Sequence, residues 1–134
     1  MEKTKFKLLV LVLVLAIVSV ACSFSASTAN IKEAYMAQDE AGTEKATVYP
    51  QDSVFYCIVT LANAPDDTTL KAVWIAVEAQ DTDPNLKIDE VTTTMGDGTV
   101  PFTLTNDNLW PVGKYKIDLY LNDELKQTID FEVQ

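Results

Sequence analysis

The chain has 134 residues and a formal net charge of −10, with 20 acidic side chains against 10 basic ones and no histidine. Without histidine, the sequence excludes catalytic systems built on a Ser-His or Cys-His pair and zinc sites ligated by histidine. The acidic balance argues against nucleic-acid partners, because phosphate groups are bound by clusters of lysine and arginine.

The first 22 residues show the order of charge and hydropathy that is typical of a secretory leader. Residues 1–7 carry three lysines, residues 8–21 form an unbroken run of 14 apolar or small residues, and Cys22 follows at once. A membrane-spanning helix needs about 20 apolar residues. A shorter run after a basic segment predicts a signal peptide, here over residues 1–21.

The leader ends in the segment 18–22, which has the sequence Val-Ser-Val-Ala-Cys. This segment resembles the lipobox of bacterial lipoproteins, and the resemblance implies that Cys22 receives a diacylglyceryl group and becomes the new N-terminus. Two acyl chains suffice for stable anchoring. We therefore expect an extracytoplasmic protein, held by lipid at the bacterial cytoplasmic membrane or outer membrane. Cleavage by the ordinary signal peptidase, after Ala21 or near Ala29, and an uncleaved anchor stay open as alternatives.

Residues 22–30 are small and polar apart from Cys22 and Phe24, a composition typical of a flexible tether. The remaining 104 residues, 31–134, match the commonest size of a single domain. From Cys22 onward, 19 acidic side chains oppose seven lysines, a formal charge of −12. A surface of this kind keeps a protein soluble and separate from its copies.

The hydrophobic pattern of this domain has a period of two, which is typical of β-strands. Five segments alternate or run apolar at strand length: 53–62, 69–80, 99–105, 114–121 and 125–133. Weaker candidates are 31–37, 46–49 and 86–91. In the last segment, the alternation predicts that Leu125, Ile129, Phe131 and Val133 face the core. Asn122 and Asp123, which tolerate positive φ, predict a tight type I′ hairpin before it.

About seven short strands with turn signals between them predict an all-β, antiparallel sandwich. Cys57, Trp74 and the pair Tyr115 and Ile117 resemble the pattern of immunoglobulin-like domains, which place Cys on the second strand, Trp on the third and Tyr-x-Cys on the penultimate one. Isoleucine replaces the second cysteine here. The resemblance implies that Cys57 packs unpaired against Trp74 and Ile117. It also implies that the Tyr115 hydroxyl returns to nearby backbone as a tyrosine corner.

Three aromatic side chains are candidates for partner contact. Tyr56 and Tyr120 fall out of phase with the inward residues of their strands, and Trp110 stands beside Pro111 in a loop. Tryptophan is enriched in binding hot spots, although a tryptophan at this place also serves to plug one end of the core. The strand 69–80 is apolar on both faces, which predicts a central strand or an interaction surface.

One acidic loop offers oxygen atoms to a cation. Asp81, Asp83 and Asn85 alternate as at the start of a calcium-binding loop. Leu86 and Thr92 occupy the positions where an EF-hand needs Gly and Glu, so an EF-hand is excluded. A weak calcium site of another kind and an ordinary polar turn both stay open.

These features predict a membrane-anchored, non-catalytic binding or adhesion module for a protein or glycan, with no cofactor. The lone thiol of Cys57 has no basic neighbour in sequence to activate it, which disfavours a cysteine nucleophile. One alternative is an architectural subunit of the cell envelope that assembles with itself through an unpaired edge strand. Another is a secreted inhibitor that inserts the loop 106–111 into a partner.

Overall fold

Eight β-strands make up the part of the chain that the computed structural model describes, residues 28–134. The signal peptide predicted over residues 1–21 and the lipidation predicted at Cys22 lie outside these residues. The strands are β1 Asn30–Ala37, β2 Val48–Tyr49, β3 Phe55–Ala62, β4 Thr68–Ala79, β5 Leu86–Met95, β6 Gly98–Leu104, β7 Gly113–Leu121 and β8 Glu124–Val133. Each predicted segment overlaps one of them, so the all-β prediction is confirmed.

The strands form two sheets that pack face to face. One has the order β1-β3-β6 and the other the order β2-β8-β7-β4-β5, and all neighbours are antiparallel except β2 and β8. A constant-type immunoglobulin domain divides its seven strands into four and three. Here β5 stays beside β4 in the larger sheet and the short β2 joins β8. The result is an immunoglobulin-like sandwich divided into three and five strands.

The core lies between the inner faces of the two sheets and follows the predicted alternation. Its buried side chains on three strands are Phe55, Cys57, Val59 and Leu61 on β3, Leu70, Ala72, Trp74 and Ala76 on β4, and Tyr115, Ile117, Leu119 and Leu121 on β7. Both the β4 and β7 sets sit in matched register, with Trp74 opposite Ile117. The period of two therefore predicted the inward faces of β3 and β7, whereas on β4, which is apolar on both faces, it did not decide which face is inward.

The prediction that Leu125 faces the core is wrong. A β-bulge interrupts the pairing of β7 with β8, so that Leu119 lies opposite Gln127 but Tyr120 lies opposite Leu125. The extra residue in β8 is Lys126. One inserted residue moves the side chains before it to the other face of the sheet. Leu125 is accordingly 50% exposed, beside Tyr120 on the outer face.

The C-terminal hairpin has the geometry that the sequence predicts. Asn122 and Asp123 have φ values of 48° and 66°, the left-handed region that a type I′ turn requires. The Asn122 side chain also accepts a hydrogen bond from the backbone N–H of Thr69 at 3.1 Å. This contact fastens the hairpin to the start of β4.

Two of the immunoglobulin-like features are present. Cys57, Trp74 and Ile117 are fully buried in one core, and Cys57 is a free thiol. The Tyr115 hydroxyl donates a hydrogen bond to the carbonyl of Pro111, four residues upstream, at 2.5 Å. This is the arrangement of a tyrosine corner, and it fixes the loop that leads into β7.

The sandwich has two distinct ends. At the first, called the proximal end here, Thr28 donates its side-chain hydrogen bond to Asn63, and the connection between β5 and β6 bonds through Asp97 to Ala64. The opposite, distal end gathers the loops 50–54, 80–85 and 105–112. The described chain therefore enters at one end and presents three loops at the other. No helix within residues 28–134 has the length and hydropathy to span a membrane.

Candidate binding surface at the distal end

The loop 105–112 is fastened to the loop 50–54 through Trp110. The backbone N–H of Trp110 donates to the carbonyl of Gln51 at 2.8 Å, and the Gln51 side chain donates back to the Trp110 carbonyl at 2.9 Å. The indole Nε1 donates to the carbonyl of Ser53 at 2.8 Å. The ring is only 5% exposed and stacks on Phe55. Trp110 thus closes the distal end of the core and holds two loops together.

An apolar groove of about 240 Å³ opens beside this indole. Both β5 and β6 are edge strands of their sheets, so the sandwich is open between them on this side. The turn before β5 and the loop before β7 form the two sides of the opening. The groove is lined by Ala76, Thr82, Leu86, Ile88, Thr105, Asn106, Trp110, Pro111 and Tyr115. A concave apolar surface with a few polar groups is the usual form of a binding site.

The surroundings of the groove combine exposed apolar side chains with negative charge. Leu109 is 63% exposed, Leu86 45% and Val112 40%. The three distal loops contain four aspartates, Asp52, Asp81, Asp83 and Asp107, and no lysine. A partner with apolar side chains and positive charge is complementary to such a surface.

The aromatic residues singled out in the sequence do not form one patch. Tyr56 and Tyr120 are half-buried on β3 and β7, which belong to different sheets. The ammonium group of Lys71 lies over the Tyr120 ring, 4.5 Å from its centroid, and makes a cation–π contact. Trp110 alone lies at the distal end, where it lines the groove as part of the core rather than as an exposed ring.

Leu86 and Leu109 are the contact candidates that the sequence reading missed. Leu109 follows three polar residues, Asn106 to Asn108, in a loop, and an apolar side chain at that point of a polar loop was a usable signal. Leu86 looked like an ordinary strand residue. Its exposure depends on the position of β5 at the edge of the sheet, which the local pattern does not contain.

The candidate calcium residues lie in the tight connection between β4 and β5. Asp81 and Asn85 adopt positive φ values of 57° and 55°, and the Asn85 N–H donates to the carbonyl of Val77 at 3.0 Å. Asp83 is exposed between them. Within residues 28–134, no group of three or more Asp, Glu, Cys or His side chains gathers in a way that could hold a metal ion. The backbone geometry accounts for these residue types as turn formers.

Burial governs the chemistry of Cys57. The thiol is fully buried, and this burial raises its pKa from the ordinary value of 9.0 to about 12. The thiolate is the reactive form of cysteine. At neutral pH the side chain is therefore a protonated, inaccessible thiol.

No family model matches the chain, and no curated protein matches it in sequence. Among solved structures, it is similar to an immunoglobulin-like protein from Pseudomonas aeruginosa, with a TM-score of 0.56 and 15% identity over 82% of this chain and 99% of that one. This similarity and the two sheets described above agree on an immunoglobulin-like sandwich.

Two enzymes contain a similar fold as part of a longer chain. One is an alkylpurine DNA glycosylase from Pseudomonas fluorescens, bound to DNA with an abasic site analog, with a TM-score of 0.54 and 13% identity over 81% of this chain. The other is a β-glucosidase from Listeria innocua, with a TM-score of 0.50 and 16% identity over 82% of this chain. The present chain spans 31% of the glycosylase and 17% of the glucosidase. At these identities the likeness is one of fold alone.

Proposed function

We propose that this chain is a non-catalytic binding module, anchored outside a bacterial membrane by lipid on Cys22, and that its distal groove engages a protein partner. The observation that carries this proposal is the apolar groove beside Trp110, at the end of the sandwich whose loops carry the exposed Leu109 and four aspartates. The partner segment that fits it is apolar with positive charge. The Trp110 anchor holds the groove in shape before the partner arrives, which lowers the entropic cost of binding.

The position of Thr28 supports an orientation in which the distal groove faces away from the membrane. Cys22 lies six residues before Thr28, and Thr28 contacts Asn63 at the proximal end. A flexible segment of that length spans roughly 13 Å, from about 5–6 Å times the square root of the residue number. An anchor at Cys22 would hold the proximal end near the membrane and leave the distal groove facing away from it.

Charge at the proximal end favours the same orientation. Its exposed side chains include five acids: Asp66, Asp67, Asp97, Asp123 and Glu124. Acidic groups are repelled by anionic lipid headgroups. The domain would then stand on its tether instead of lying against the bilayer.

The surroundings of the candidate reactive groups support a non-catalytic role. The buried Cys57 thiol is protonated at neutral pH. The formal charge of −12 after residue 21 opposes binding to DNA, so the DNA bound by the glycosylase of similar fold is not a suitable ligand for this chain. The protonated thiol disfavours catalysis by Cys57, and the negative charge disfavours a nucleic-acid substrate. The apolar groove and its loops are suited to binding a partner instead.

The anchoring part of the proposal is tested by expressing the full precursor in a bacterial host beside Cys22→Ser. We expect the wild-type chain to gain the mass of a diacylglyceryl group and to partition into the detergent phase, and the variant to lose both. A soluble wild-type chain cut near Ala29 would overturn the anchor and leave a diffusible binder.

The binding part is tested with a photo-crosslinking amino acid in the full chain on intact host cells. Replacement of Leu109, which is 63% exposed at the distal end, should give an adduct of discrete mass after irradiation. Replacement of Glu124, exposed at the proximal end, is the matched control. Leu86→Lys should abolish the Leu109 adduct, because it replaces an apolar side chain of the groove lining with a positive charge that repels the partner. No adduct at Leu109, or the same adduct from both ends, overturns the distal site.

A further inference from the structure

Four strands form the edges of the two sheets in the described part of the chain: β1 and β6 in the smaller sheet, β2 and β5 in the larger. Exposed edges invite pairing with another chain, and proteins obstruct them with prolines, bulges, charges or short strands. The edge of β6 carries Pro101, which has no N–H to donate. The edge strand β2 has two residues, and β1 contains a bulge near Glu33 and bridges to Lys45 through Ala37. Three of the four edges are therefore obstructed.

The edge of β5 is obstructed only in its first half. A bulge at Ile88 interrupts the pairing with β4, and Asp89 and Glu90 place exposed charges beside it. The second half, residues 91–95, has the sequence Val-Thr-Thr-Thr-Met and continues in regular register to the end of the strand. These five residues are uncharged in a domain of charge −12. β-Branched residues favour strand pairing, so this half remains a competent edge.

The segment 91–95 is complementary to the same segment of a second copy when the two pair in antiparallel orientation. If two copies pair about Thr93, Thr92 of each copy lies opposite Thr94 of the other on the outer face. Val91, which is 39% exposed, lies opposite the half-buried Met95 on the inner face. Thr–Thr and apolar pairs across strands are stabilising. Beyond this segment Asp89 would face Asp97, and this repulsion limits the pairing to residues 90–96.

We propose that a second copy of this chain docks on β5 by antiparallel strand addition centred on Thr93. The pairing joins the two five-stranded sheets into one and satisfies backbone groups on the free edge of β5. It uses a two-fold arrangement, the commonest symmetry of protein dimers. This surface is separate from the distal groove and does not depend on the function proposed for it. Since the two β5 strands run in opposite directions and pair near their C-terminal ends, the proximal ends of the two copies lie side by side and their distal ends point away from each other.

The register is tested by two double variants at exposed positions. Thr92→Glu with Thr94→Glu places glutamate opposite glutamate in both pairs, whereas Thr92→Glu with Thr94→Lys places glutamate opposite lysine in both. Both variants change the same two exposed residues, so their monomers tolerate them alike, and circular dichroism checks that each is folded. The measurement is analytical ultracentrifugation of the processed full chain in density-matched detergent, over a concentration series. We expect dimers for the wild type and the Glu/Lys variant, and monomers for the Glu/Glu variant.

Crosslinking gives a second measure of the same pairing. Residues directly opposite in an antiparallel pair have Cα atoms about 4.5–5.5 Å apart, within the range of a disulfide. Thr93→Cys should therefore form a disulfide-linked dimer with copper phenanthroline as oxidant. Thr103→Cys, on the β6 edge beside Pro101, is the matched control, and the buried Cys57 does not compete. The proposal is overturned if the wild type stays monomeric up to a protein concentration of about 1 mM, at which even a weak dimer would be detected. It is also overturned if the two double variants associate equally, or if the two cysteine variants crosslink equally.

Discussion

The indole of Trp110 stacks on the ring of Phe55, with centroids 4.7 Å apart and planes inclined by 26°. Phe55 begins β3 and also contacts the rings of Tyr49 and Phe131 at 5.0 and 4.9 Å. The loop that borders the candidate groove is therefore part of the central aromatic cluster. Because core packing fixes the loop, the groove and the stability of the domain are linked through one side chain.

Trp110→Ala should lower the free energy of unfolding by about 3–5 kcal/mol, the usual cost of removing a large buried aromatic side chain. It also removes the hydrogen bond from Nε1 to Ser53. Leu109→Ala is the neighbouring control, and as an exposed substitution it should stay within about 0.5 kcal/mol of the wild type. Urea unfolding measures both. Equal effects would mean that Trp110 does not hold the distal end together.

Tyr115→Phe should lower the free energy of unfolding by about 1–2 kcal/mol, because it deletes the hydroxyl that bonds to the Pro111 carbonyl. The ring stays in place, so its stacking on Phe131 is kept. Tyr120→Phe is the matched control, since the described contact of Tyr120 with Lys71 is made by its ring. Thermal or urea unfolding of the two variants gives the comparison. A Tyr120→Phe loss as large as that of Tyr115→Phe would contradict the tyrosine corner.

Local alternation was enough to predict the strands and the inward residues of β3 and β7. It failed at Leu125, because the bulge at Lys126 depends on how β8 pairs with β7. Local alternation also could not predict the division into sheets of three and five strands, since strands that pair lie far apart in sequence. The groove beside Trp110 and the free edge of β5 both result from that division. Surface features that depend on long-range pairing could therefore not be predicted from the sequence.

The buried Cys57 predicts a specific loss of stability at alkaline pH. Burial raises its pKa from 9.0 to about 12, so the unfolded thiol ionises first. The contribution to stability is complete below pH 9 and is lost as pH rises toward 12, at up to about 1.4 kcal/mol per pH unit. Burial also raises the pKa of Tyr49 and Tyr115 above 10, so those hydroxyls add to the loss only at higher pH.

Urea unfolding between pH 8 and pH 10 isolates this contribution. The free energy of unfolding of the wild type should fall with a steeper slope than that of Cys57→Ala, whose core has no thiol to ionise. The variant itself should be less stable at pH 7 by a constant amount because of the small cavity. Identical slopes would show that the thiol is not held in its protonated form by the core.

Gly113 and Gly98 each begin a strand, but for different reasons. Both need an unusual backbone conformation, and only Gly113 also lies too close to a neighbouring strand for a side chain. Both have positive φ, 156° and 141°, which is strained for residues with a Cβ atom. A Cβ at Gly113 would lie 2.3 Å from the carbonyl oxygen of Glu78 and 2.5 Å from Cα of Ala79. At Gly98 the nearest atom would be the flexible end of Met95, at 3.9 Å.

Gly98→Ala should therefore cost only the backbone strain, about 1–3 kcal/mol. Gly113→Ala should cost clearly more in urea unfolding, because β7 must also move away from β4, which bulges between Ala76 and Glu78 at this point. That movement should disturb the neighbouring Tyr115 hydrogen bond and, through it, the distal groove. The near-ultraviolet circular dichroism of the aromatic cluster should change in Gly113→Ala and not in Gly98→Ala. Equal losses in both variants would mean that backbone conformation alone, and not the close approach of β4, requires glycine at the start of β7.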